Sequence, residues 1–176
     1  MKKLLLLLVP VLMLAAACDT TPTPIDYTFQ DLVFTYPSDW KVDNEELDGD
    51  RITLFLVKDP DTFIYMDLEK MEEELFEDLG DDDIADALAS DAYDLFELDK
   101  DDENMDIQDL DILQDGSEGD GFLVEYSGTN KDEPFLSRIL SKMVGPYEVI
   151  VRTETGDKAN QPEINDIMNS FRLIEK

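Results

Sequence analysis

The chain predicts an α+β fold in which an antiparallel β-sheet is flanked by helices, and three observations lead there. The first half alternates apolar and polar residues with a period of two, interrupted by the turn-forming triplets Asp48-Gly49-Asp50 and Asp59-Pro60-Asp61. From Leu68 onward the apolar period lengthens to that of a helix, across a stretch rich in acidic residues. Extended segments then resume, and the chain closes on an amphipathic helix. With 43% hydrophobic residues, nine of them Phe side chains, 176 residues suffice for one packed core.

Taken in order, Tyr27 to Tyr36 reads as one extended segment with Leu32, Phe34 and Tyr36 on one face, and Pro37-Ser38-Asp39 turns the chain into Trp40. The two triplets lead into Arg51 to Val57 and Thr62 to Leu68, which read as adjacent antiparallel strands. Leu68, Met71, Leu75 and Leu79 fall at helical spacing, with Glu69, Glu72 and Glu73 turned outward and Gly80 placed to stop the helix. Asp81-Asp82-Asp83 suits the start of a second helix, whose buried stripe is Ile84, Leu88, Ala92 and Leu95.

Met105 to Gln114 is extended again, Asp115 to Asp120 forms a turn, and Gly121 to Ser127 alternates through Phe122, Val124 and Tyr126. Pro134 to Val144 fits two periods. Phe135, Ile139 and Met143 suit a helix, whereas two-residue alternation and the following Gly145-Pro146 turn favour a strand paired with Tyr147 to Thr153. The closing helix carries Pro162 in its first turn and an apolar face of Ile164, Ile167, Met168 and Phe171.

The first residues carry a separate message. Lys2 and Lys3 precede an apolar run from Leu4 to Leu14, which ends in Ala15-Ala16-Ala17-Cys18. The run is too short to cross a bilayer, which takes about 20 apolar residues. It resembles the signal and lipobox of bacterial lipoproteins, although Ala15 stands where lipoboxes most often carry Leu, and a plain secretory signal with an incidental cysteine is the alternative. The resemblance implies that residues 1–17 are removed, that Cys18 becomes the first residue, and that its sulfur carries lipid. The expected organisation is therefore a leader over 1–17, a lipidated Cys and Thr/Pro tether over 18–26, and a single domain over 27–176. A chain so anchored would sit at the extracytoplasmic face of the cell membrane, with the lipid bilayer as its first partner through its acyl chains. A lone cysteine forms no internal disulfide, and acylation would protect an otherwise exposed thiol.

Charge and composition exclude several functions. Forty-four acidic residues against 14 basic ones give a net charge of −30, which repels nucleic acid and anionic surfaces. The absence of histidine excludes Ser-His-Asp triads and His-dependent zinc sites. The glycines of Asp115 to Gly121 lack the lysine and spacing of a phosphate-binding loop. A hydrolase using two carboxylates is a remaining enzymatic alternative, but acidic residues are too abundant for any pair to stand out. Calcium is the other alternative ligand. Asp99, Asp101 and Glu103 occupy the first three ligand positions of an EF-hand loop, which then fails at Asn104, where Gly is needed, and at Leu110, where the bidentate Glu belongs. What survives is a low-affinity surface site for a divalent cation at Asp99, Asp101 and Glu103.

Two local patterns carry a family resemblance. Leu32-Val33-Phe34-Thr35-Tyr36-Pro37-Ser38-Asp39-Trp40 is similar to the opening strand and Tyr-Pro-x-x-Trp turn of the PsbP-like proteins and their Ran-binding nuclear relatives. Ile164-Asn165-Asp166-Ile167-Met168-Asn169-Ser170-Phe171-Arg172 resembles the closing helix of the same family, which ends in Ser-Phe. The resemblance implies an α/β/α sandwich with no shared catalytic constellation and with accessory or binding roles. Trp40 and Tyr36 read as core anchors. The expectation is a non-enzymatic lipoprotein that binds an envelope protein and needs no cofactor beyond its lipid.

Overall fold

Alternation of apolar side chains builds most of this molecule. The computed structural model describes residues 21–72, 80–116 and 121–174. The expected leader and Cys18, the greater part of the helix expected from Leu68 to Leu79, and the tip of the turn at Asp115 to Asp120 lie outside the described residues. The strands are β1 (Pro24–Phe29), β2 (Leu32–Pro37), β3 (Lys41–Asp48), β4 (Arg51–Asp59) and β5 (Thr62–Lys70). Helix α1 (Asp81–Lys100) follows, then β6 (Met105–Asp115), β7 (Phe122–Asn130), β8 (Glu133–Val144) and β9 (Tyr147–Thr155). A short 3₁₀ turn (Lys158–Asn160) leads into α2 (Gln161–Met168), and β10 (Arg172–Leu173) ends the described chain.

Seven strands form one antiparallel sheet in the order β3-β4-β5-β9-β8-β7-β6, and β1-β2-β10 form a smaller one. One face of the large sheet presents Leu54, Met66 and Val151, neighbours on successive strands, to the small sheet and to Ile164, Ile167 and Met168 of α2. The other face presents Phe122, Val124, Tyr126 and Ile139 to Leu88, Ala92 and Phe96 of α1. The result is an antiparallel sheet with a helix on each side, as the alternation and the closing helix predict.

The two ends of the chain close on each other. Ser170 Oγ accepts from the backbone N–H of Thr35 at 2.9 Å, and the rings of Phe34 and Phe171 lie 5.2 Å apart. The opening and closing motifs are thus one packing unit in space. Trp40 is 2% exposed and donates its indole N–H to Glu163 of α2 at 3.2 Å, and Tyr36 is also buried, so both are core anchors.

Several elements differ from the sequence reading. Tyr27 to Tyr36 is not one strand but the β1–β2 hairpin, turned at Gln30 with φ 53°. That left-handed position usually falls to Gly or Asn, so nothing in the sequence announced it. β1 also begins at Pro24, which takes the last three residues of the expected tether into the sheet. Leu68 belongs to β5, which continues to Lys70, because it completes the buried set Ile64, Met66 and Leu68 before any helical stripe can claim it. Gly80 is the N-cap of α1, its backbone N–H reaching the Asp83 carboxylate at 3.3 Å, while most of the helix it was expected to stop lies outside the described residues. In α1, Phe96 takes the buried place expected of Leu95, which is half-buried. β3 was not expected, since a largely exposed edge strand carrying Asp43, Glu45, Glu46 and Asp48 shows little apolar alternation.

Candidate functional site

Two hairpin turns and the end of β9 meet at one end of the large sheet and enclose a cleft of about 740 Å³. The β4–β5 turn brings Asp59, Pro60 and Asp61; the β7–β8 turn brings Lys131 and Glu133; Glu154 and Asp157 come from β9 and just beyond it. The turn sequences place acidic residues there because Asp and Pro terminate strands. Asp59 accepts from the N–H of Asp61 at 3.0 Å, and the N–H of Gly156 donates to the carbonyl of Asp61 at 2.9 Å, so the rim is held by its own backbone. Behind it, the hydroxyls of Thr62 and Thr155 lie 3.1 Å apart and Asn160 donates to Thr62 at 3.0 Å. Five of the charged lining residues are carboxylates and one, Lys131, is basic.

Phe63 and Glu154 line the cleft, and from them a ladder of cross-strand pairs runs along the sheet. Phe63 faces Glu154 and Tyr65 faces Arg152 across β5 and β9. Arg152 grips Asp99 with two hydrogen bonds, Nε to Oδ2 at 2.8 Å and Nη2 to Oδ1 at 2.7 Å, while its guanidinium lies 5.6 Å from the Phe63 ring centre. Tyr126 also donates its hydroxyl to Asp99. Burial raises the Tyr126 phenol, and the adjacent Asp99 charge raises it further, so it stays protonated and donating. Burial alone would lower Arg152, but Asp99 and Tyr126 outweigh that, and its net shift is upward. Glu154 is raised chiefly by desolvation, opposed by the charge of Arg152.

Further along β9, Glu148 stands opposite Glu69 of β5. Desolvation, a hydrogen bond with Asp91 of α1, and the charges of Asp91, Glu69 and Asp67 push Glu148 up to about 8. Arg51 pairs with Asp67 at the end of this row. The α1 face of the sheet therefore carries a strip of carboxylates tempered by two arginines.

The expected cation ligands are not brought together. Asp99 is 8% exposed and turned inward onto Arg152 and Tyr126, whereas Asp101 and Glu103 are exposed to solvent. Among the described residues no group of three or more His, Cys, Asp or Glu is placed to hold a metal ion. Sequence reasoning missed Arg152 and Glu154, whose roles arise from strands and a helix distant in the chain. The arrangement offers fixed negative charge, an aromatic floor and backbone groups, which together suit the docking of a basic group. Among the described residues no helix is long and apolar enough to cross a membrane.

No family model matches the chain, and no curated protein matches it in sequence. Among solved structures the chain is similar to the cyanobacterial PsbP protein CyanoP from Synechocystis, with a TM-score of 0.50 and 12% identity over 94% of this chain and 100% of that one. It is similar also to the Ran-binding protein Mog1p from Saccharomyces cerevisiae, with a TM-score of 0.50 and 12% identity over 88% of this chain and 97% of that one. At this identity the likeness is one of fold, and the chain has the PsbP- and Mog1-like α+β fold.

Proposed function

We propose that this protein is a membrane-tethered, extracytoplasmic binding module, anchored by acyl chains on Cys18 and acting without catalysis on an envelope protein. The observation that carries this reading is the run Lys2-Lys3, Leu4 to Leu14 and Ala15-Ala16-Ala17-Cys18, a secretion leader ending at the chain's only thiol. The domain's charge of −30 gives it no attraction to anionic lipid, so covalent lipid supplies the hold. Two or three acyl chains exceed the marginal grip of one. The likeness of fold to Mog1p, a Ran-binding protein, supports a protein partner, and the carboxylate-lined cleft suits a basic group on it.

The test is fractionation of bacteria expressing the full chain and its Cys18→Ser variant. The full chain is expected to sediment with membranes and to be released by detergent, and C18S to leave the membrane fraction. Equal distribution of the two would overturn the anchor.

A further inference from the structure

The large sheet ends in β6, and among the described elements nothing pairs with its outer side. β6 spans 11 residues and is exposed over most of its length, with Leu110, Ile112 and Leu113 at 44%, 51% and 48% exposure. Exposed aliphatic side chains along a bare edge are what stable sheet proteins usually avoid. The strand is also two-sided. Leu110 and Ile112 stand opposite Tyr126 and Val124, on the face that carries α1, while Asp109 and Asp111 stand opposite Ser127 and Glu125, on the other face. Glu125 is already paired with Arg138, and no Lys or Arg occurs anywhere between Lys100 and Lys131. Asp109 and Asp111 thus face outward with no basic residue nearby in the chain.

We propose that the outer edge of β6 receives an extended basic segment of a partner protein as an added strand. Main-chain hydrogen bonds would supply affinity, and the alternation would supply specificity: apolar side chains beside Leu110 and Ile112, Lys or Arg beside Asp109 and Asp111. A second copy of this chain is disfavoured as the occupant, because pairing β6 with itself sets aspartate against aspartate between two bodies of net charge −30. The opposite edge, β3, is also acidic but is shorter and has one large exposed aliphatic, Leu47, so it offers little for an apolar face to grip. This inference names a surface for the binding module read above and rests on that reading for the partner's existence. Its failure would leave the Cys18 anchor standing.

The probe is an acetylated, amidated eight-residue peptide alternating Val and Lys, titrated into the full-length chain in detergent. Saturable binding is expected, with slowed amide exchange across residues 106–113. The double variant D109K/D111K, whose changes are on the surface, is expected to melt like the parent and bind at least tenfold more weakly; Ile112→Asn should weaken binding in the same direction through the other face. The proposal is overturned by absence of saturable binding, by a Val/Glu peptide binding as tightly, by protection at residues 41–48 in place of 106–113, or by a dimer that buries β6.

Discussion

At the scale of single residues, Asp99 sets the clearest expectation. Its carboxylate receives Arg152 and Tyr126 in a largely buried setting, and removing one member of such a group strands the others. Asp99→Ala should therefore destabilise the fold by about 3 kcal/mol, read from denaturant melts; a change below a few tenths would show that α1 docks without this pair. In the sequence Asp99 stands in an acidic run that looks like a solvated loop. Its partners lie 27 and 53 residues further along the chain, so only the folded arrangement reveals its role. Glu148 carries a pH dependence. Its value near 8 means that the folded chain keeps this proton where an unfolded glutamate, near 4.5, has lost it. Stability contributed here is intact below about 4.5, falls as the pH rises toward 8, and then levels off. Asp91 from α1 and Glu69 and Asp67 from β5 face the same group and deepen the effect. Thermal melts of the parent against Glu148→Gln should diverge across this range, with the variant more stable at the alkaline end; parallel profiles would refute the assignment.

At the scale of elements, the β6–β7 pairing depends on one glycine. A Cβ on Gly128 would stand 1.9 Å from the Asp106 carbonyl oxygen, and because that atom is backbone the strands would have to part. Gly128→Ala should cost about 1–3 kcal/mol and loosen the start of β6, visible as faster amide exchange near Asp106. An unchanged exchange pattern would mean that the adjacent bulge at Ile107/Asp109 absorbs the methyl group. Most strands were legible from alternation and turn residues, including β8, where the Gly145-Pro146 turn decided between two periods; Gly145 has φ 60°, a backbone suited to glycine. The β1–β2 hairpin was not legible, because Gln30 adopts its left-handed turn without the usual residue. Nor was β3, since an edge strand facing solvent needs no apolar face. The cleft fared in the same way: the turn at Asp59-Pro60-Asp61 could be read locally, but not the β7–β8 turn, nor that the two meet the end of β9 at one end of the sheet.

For the whole molecule, a net charge of −30 on 176 residues is self-repulsive, and counter-ions relieve it over a Debye length that shrinks to about 3 Å at 1 M salt. The melting temperature should rise from low salt to molar KCl, and a flat profile would mean that the surface charges are spaced widely enough not to interact. The same charge bears on the proposed anchor: anionic lipid offers this chain no attraction, so lipid on Cys18 would supply a hold that the surface does not. The paired motifs at the two ends, joined through Thr35 and Ser170, made the fold legible as a whole, whereas the binding surfaces depend on how distant turns and edges assemble. The most direct test of a tethered binding module is photo-crosslinking in intact cells, with the crosslinker at Lys131 in the cleft. A discrete protein adduct in the membrane fraction, lost when Cys18 is replaced by Ser, is the predicted result; no adduct, or the same adduct with and without Cys18, would contradict it.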